Sequence, residues 1–328
     1  MLALMETRTL GRTGRKVSVV GLGAWQIGAS WGDVPEDQAR DVVRSALDAG
    51  ITFIDTADVY GDGRSEQIVG EVVGEADVFV ATKMGRRVEQ QAENYSAANF
   101  RAWTDRSRRL LGVDTLDLVQ LHCPPDAVYA DDAVFDVLDG MVQDGTLRAY
   151  GVSVETCDQA LAAIARPGVA SVQIIVNCLR LKPLDEVLPA ARQAGVGVIA
   201  RVPLASGLLT GRFDESTTFA PDDHRTFNRY GEAFDVGETF SGVPYDVGLA
   251  AVRELAGLVP EGVTMAQFAL RWIIDQPGVT AVIPGARSGE QVRSNAAAAG
   301  VAPLSDERLA GVRDVYDRLI RPYVHHRW

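Results

Sequence analysis

The stretch FIDTADVYGDGRSEQIVG, residues 53–70, opens with an apolar, β-rich run that stops on Asp55, places Asp58 and Tyr60 within the next five residues, and passes through Gly61 and Gly63. An apolar run closed by glycines and followed by spaced apolar positions is the pattern of a strand, a turn and a helix. The same unit recurs along the chain. Short β-rich runs lie at 17–23, 51–56, 77–83, 116–122, 148–153, 171–177, 195–201 and 279–285. Between them lie segments such as PEDQARDVVRSALDAG and AANFRAWTDRSRRLLG, in which apolar residues return every three or four positions and a glycine closes the end. Eight alternations of strand and helix predict parallel pairing in an α/β fold, a closed (β/α)8 TIM barrel. An open doubly wound sheet would carry G-x-G-x-x-G after its first strand, and Gly21, Gly23 and Gly28 have the wrong third spacing.

Two pieces fall outside the repeat. TLGRTGRKVS reads as an N-terminal β-hairpin, residues 7–18, turning at a glycine. Residues 212–247, after strand seven, are longer than a barrel loop needs to be, which predicts a substrate-binding loop. No linker rich in Pro, Gly or Ser divides the 328 residues, so one barrel domain is expected over 1–328.

A formal charge of −12 argues against a phosphate-backbone binder, and no nucleic-acid partner is expected. Cys123, Cys157 and Cys178 are odd in number and lack CxxC spacing, so neither a disulfide framework nor a metal site is expected. No apolar run reaches about 18 residues and the first residues lack a signal-peptide pattern, which predicts no membrane contact and a cytoplasmic location. The Asn94-Tyr95-Ser96 sequon is accidental on that reading. Oligomeric state is not legible.

Aligned at their C-terminal ends, the strands stop on or near Asp55, Lys83, His122, Ser153, Asn177 and Arg201. Barrel active sites sit at that face. Lys83 stands out because the chain holds 29 arginines and three lysines, yet a lysine ends strand three. An ammonium is a compact point charge whose pKa can move, whereas a guanidinium is planar and always charged. His122 is one of four histidines and closes the apolar run LDLVQL.

With these residues in place, FIDTADVYGDGRSEQIVG resembles the signature of the aldo-keto reductase family: an Asp ending strand two, a Tyr five residues on, and a Gly-x-Ser-Glu helix entry. ATKMG, LDLVQLHCP, GVS, VQIIVN, PLASGLLTG and IPGARSGEQVRSN extend the likeness over nearly the whole chain. The resemblance implies a catalytic tetrad of Asp55, Tyr60, Lys83 and His122. The chemistry agrees: hydride arriving at a carbonyl carbon leaves an alkoxide that must gain a proton, and a phenol such as Tyr60 can supply it. A neighbouring ammonium, Lys83 held by Asp55, would lower that phenol from near 10 towards working pH. His122 would polarise the carbonyl oxygen. Asp58 reads as a turn or helix-entry residue.

The resemblance also implies NADPH/NADP as cofactor and a small-molecule carbonyl as substrate. Arg287 would take the 2′-phosphate, Gln291 and Asn295 would lie near adenine, and Ser153, Gln173 and Asn177 would hold the carboxamide. Gly285 permits close backbone approach, and Gly23, Ala24, Trp25, Asp55, Pro203, Leu204 and Gly207 complete the expected cofactor surface. Ser288 and Gln291 also fit an S-x-x-Q capping box. Trp25, Tyr60 and His122 are the expected substrate contacts, with Trp31 a further aromatic candidate. The chain departs from many relatives at Val154, Val176 and Arg201, the last standing where a Tyr stacks on the nicotinamide; a guanidinium can stack too. Two other functions share these residues: a nucleotide-sensing, weakly catalytic subunit resembling potassium-channel beta subunits, and an aldolase-type barrel using Lys83 as a Schiff base.

Overall fold

The computed structural model describes residues 5–28 and 34–328; Trp31 lies outside them. A hairpin of β1 (Thr7–Thr9) and β2 (Lys16–Ser18) precedes eight parallel strands: β3 (Leu22–Gly23), β4 (Phe53–Asp55), β5 (Phe79–Met84), β6 (Leu118–His122), β7 (Tyr150–Ser153), β8 (Val169–Ile175), β9 (Gly197–Arg201) and β10 (Val279–Val282). They pair in chain order. Parallel bridges Val20 to Val282 and Gly23 to Gly285 close the ring, with Gly21 N donating to Val282 O at 2.8 Å and Gly23 N to Pro284 O at 3.0 Å. The fold is a (β/α)8 barrel.

The apolar run at 17–23, expected as one strand, is two. Lys16–Ser18 pairs antiparallel with β1, and only Leu22–Gly23 joins the barrel. The chain bends between them, where Ser18 Oγ donates to Val20 O at 2.7 Å and Ser18 N to Thr52 Oγ1 at 2.9 Å. The hairpin plugs the N-terminal end of the barrel. Gly11 sits there at φ +47, where an added Cβ would lie 2.1 Å from Ala170 O, so the close approach requires glycine. Above it Leu10, Val17, Phe53, Phe79, Leu118 and Ile199 fill the barrel interior.

The outer helices follow their sequence periods. Glu36–Asp48 buries Ala39, Val42, Val43 and Ala46 and carries Glu36 and Asp37 in its first turn, where the helix dipole favours acids. Thr156 with Gln159 and Thr264 with Gln267 form capping boxes at Cys157–Ile164 and Met265–Ile274. Residues 212–247 hold the short helix His224–Phe227 and single turns at Val236–Glu238 and Phe240–Gly242, and they fold over the C-terminal face.

Candidate active site

Side chains from β4, β5, β6 and β8 meet in a polar knot inside the C-terminal end of the barrel. Asp55, at the end of β4, pairs through Oδ1 with Lys83 Nζ, and its Oδ2 accepts from Gln120 Nε2 at 3.0 Å and Gln173 Nε2 at 2.7 Å. Lys83 is 1% exposed. Its ammonium also donates to Thr56 O at 2.8 Å and to Tyr60 Oη at 3.4 Å. Tyr60 lies in the loop after β4, its ring edge-on to His122 with centroids 6.0 Å apart, while Trp25 stacks on its other side at 6.1 Å and 20°.

Burial tends to lower the Lys83 pKa, but Asp55 and Tyr60 outweigh it and keep the ammonium charged. His122 is held well below its ordinary value, by burial first and then by Arg86, Lys83 and Arg201, so the imidazole is neutral at pH 7. Its Nδ1 is buried with no hydrogen-bond partner among the described residues. Tyr60 departs from the sequence expectation. Its phenol is raised, because burial outweighs the lowering by Lys83, whose charge is already met by Asp55. Asp58, expected to be a turn residue, is buried with both carboxylate oxygens lacking described partners, and burial, then Glu66, pushes it up to about 7.

The knot floors a cleft of about 880 Å3. Gly23, Ala24, Trp25, Asp55, Tyr60, His122, Ser153, Gln173, Arg201, Pro203, Leu204, Gly207, Gly285, Arg287, Gln291 and Asn295 all line it; Lys83 lies behind Tyr60. Asn177 does not reach the cleft. It is fully buried beyond β8, its amide donating to Val202 O at 2.9 Å and Ser241 Oγ at 2.8 Å and its Oδ1 accepting from Leu179 N, so this residue anchors loops and has no donor left for a carboxamide. The turn after β9 is strained: Val202, Ala205 and Ser206 all have positive φ, unusual above all for a β-branched residue. A separate cavity of about 610 Å3 at the opposite end, beside Gly14, Asp77 and Arg148, contains none of the predicted site residues.

At the far end of the cleft Ser288 caps the helix Gly289–Ala296 by accepting from Gln291 N at 3.3 Å. Gln291 Oε1 accepts from Arg287 N at 2.7 Å instead of closing back on Ser288, so the expected capping box is half formed. Among the described residues the Arg287 guanidinium has no protein partner. Asn295 Nδ2 donates to Gly285 O at 3.3 Å.

The aldo/keto reductase family model matches residues 19–317. The chain belongs to the aldo/keto reductase family. Aldo-keto reductase YhdN of Bacillus subtilis is 32% identical to this aldo/keto reductase over 299 residues, 88% of this chain and 87% of the relative. Among solved structures, the glycerol dehydrogenase AKR11B4 of Gluconobacter oxydans is similar at 32% identity with a TM-score of 0.78, covering 96% of this chain and 95% of that one. An aldo-keto reductase of Klebsiella pneumoniae in complex with NADPH is similar at 26% identity and a TM-score of 0.71, with 96% of each chain covered.

Several residues in and around this aldo/keto reductase's cleft were missed by sequence reading. Gln120 carried a signal, since it lies two residues before His122 on the same strand and therefore on the same face. Gln26 covers Gly285, where an added Cβ would meet its amide within 2.2 Å. Glu238, His224 and Phe234 come from the long loop: Glu238 pairs with Arg201, and the rings of His224 and Phe234 lie 5.4 and 6.0 Å from Trp25. No local pattern announces such contacts. No helix among the described residues is long and apolar enough to cross a membrane.

Proposed function

We propose that this protein is an NADPH-dependent oxidoreductase that reduces an aldehyde or ketone to an alcohol, with Tyr60 as general acid. The observation that carries the reading is the buried relay itself: one ammonium held by Asp55 and Thr56 O, facing a phenol 3.4 Å away at the cleft floor. The cleft suits a dinucleotide. Its volume is ample, Gln26 Oε1 and His122 Nδ1 are buried without described partners, and the first turn of Gly289–Ala296 beside the free Arg287 offers an anion site. Arg287, Gln291 and Asn295 would hold the adenosine end, and Ser153 and Gln173 the carboxamide end.

When bound, the reduced nicotinamide supplies a hydride to the carbonyl carbon. The neutral His122 donates a hydrogen bond to the carbonyl oxygen and orients it. As charge develops on that oxygen, Tyr60 Oη delivers its proton, and the Lys83 ammonium stabilises the phenolate left behind. The raised phenol pKa keeps Tyr60 protonated and ready to donate at neutral pH. Residues 212–247 act as the substrate loop, presenting His224 and Phe234 beside Trp25 as an aromatic wall.

Tyr60→Phe tests the assignment. It should lower carbonyl turnover by about 10²–10⁴-fold, the range of a general acid, while NADPH binding stays within a few-fold. Full activity in the variant refutes Tyr60 as the acid, and nucleotide binding without turnover on a broad carbonyl panel would favour the nucleotide-sensing reading.

A further inference from the structure

The pairing of Arg201 with Glu238 serves the cleft as well as the loop. Arg201 ends β9, Glu238 closes the short turn Val236–Glu238 in the long loop, and both line the cleft that contains Tyr60 and His122. Both are at least nine-tenths buried, and Arg201 also donates to Val154 O at 2.9 Å. A buried guanidinium could be fixed by carbonyl oxygens alone, so the carboxylate adds charge balance to geometry. Both charges act on the reacting groups: Arg201 helps hold His122 neutral, and Glu238 helps raise Tyr60. Arg86 follows the same scheme, paired with Glu155 at 3.2 Å, so the described cations at the cleft floor, Lys83, Arg86 and Arg201, each face a carboxylate.

We infer that Glu238 sets the balance between oxidised and reduced nicotinamide in the cleft by cancelling the charge of Arg201. The inference rests on the nucleotide reading above. Reduction of the carbonyl takes two electrons and one proton from NADPH as hydride, and the ring becomes a cation. A cationic ring meeting an uncompensated guanidinium in a buried cleft is disfavoured, whereas the neutral reduced ring of NADPH is indifferent to it, and the phosphates are the same in both. Glu238 is thus a positioning and charge-balancing residue that acts through Arg201.

Dissociation constants for NADP and NADPH, measured by fluorescence titration at fixed salt without substrate, test this in three variants. Glu238→Gln should raise the ratio of the NADP constant to the NADPH constant by at least about tenfold, the effect of a full charge even roughly 12 Å away at an effective dielectric of about 20. That tenfold is about 30 mV in the potential of the bound two-electron couple. Arg201→Gln, which leaves Glu238 alone, should move the ratio the opposite way. The double variant should return it to within about twofold of wild type, since neither charge remains. The two single variants carry opposite signs, so failure of one to fold leaves the other decisive. A ratio unchanged in a folded single variant, or both constants altered alike, overturns the inference and leaves the nucleotide reading standing. A wild-type protein that binds neither nucleotide overturns both.

Discussion

Replacing Lys83 by methionine removes the charge at the centre of the knot while nearly preserving side-chain length. Lys83 is buried, with its ammonium shared among Asp55, Thr56 O and Tyr60. Removing one partner of a buried ion pair costs about 3–5 kcal/mol, because the other charge stays desolvated. Asp55 keeps the amides of Gln120 at 3.0 Å and Gln173 at 2.7 Å, which places the expectation near the lower figure, about 3 kcal/mol. Over 328 residues the unfolding entropy is about 0.7 kcal/mol/K, so Tm should fall by about 4 °C in calorimetry. Steady-state turnover should fall at least as far as in Tyr60→Phe, since the phenolate formed on proton delivery loses its counter-charge. Adding Asp55→Asn removes the stranded charge and still offers an oxygen to the two glutamines. That double variant should melt within about 2 °C of wild type while remaining inactive. A Lys83→Met protein that melts and turns over like wild type refutes the argument, and so do strictly additive Tm losses in the double variant.

Arg287→Ala should weaken NADPH by about 10- to 150-fold, the worth of a bidentate charged contact of about 1.5–3 kcal/mol, and change NADH little; equal small changes for both would reduce Arg287 to a solvated helix-entry charge. Asp58 is raised in the folded protein from its ordinary 3.8 to about 7, so stability present below pH 4 is lost as pH rises through 7. Asp58→Asn should therefore raise Tm at pH 8 and leave it unchanged at pH 4; a pH-independent difference in melting scans counts against the buried acid. Shortening residues 212–247 outside Glu238, or Phe234→Ala, should change the relative kcat/KM across a panel of aromatic and hydroxylated carbonyls while NADPH affinity holds; an unaltered profile would remove the loop from substrate selection.

The alternation of β-rich runs with helical periods was enough to indicate eight parallel strands, because side-chain period is a local property set by the backbone. The positions of Asp55, Lys83 and His122 were legible for the same reason: each lies at or one residue short of the end of its strand, and every strand of a parallel barrel ends on the same face. Tyr60 came from a short motif within five residues of Asp55. Tertiary structure decided what depends on distant neighbours. It split 17–23, because the bend at Ser18 is fixed by Thr52. It turned Asn177 away from the cleft, because Val202 and Ser241 compete for its amide. It raised the Tyr60 phenol where adjacency to a lysine alone suggested the reverse, because the ammonium was already shared with Asp55 and burial was not written in the local sequence. And it brought Glu238 to Arg201 across a separation of 37 positions in sequence, a pairing with no periodic signature, since the closing of a long loop is governed by what its ends and contacts meet in space.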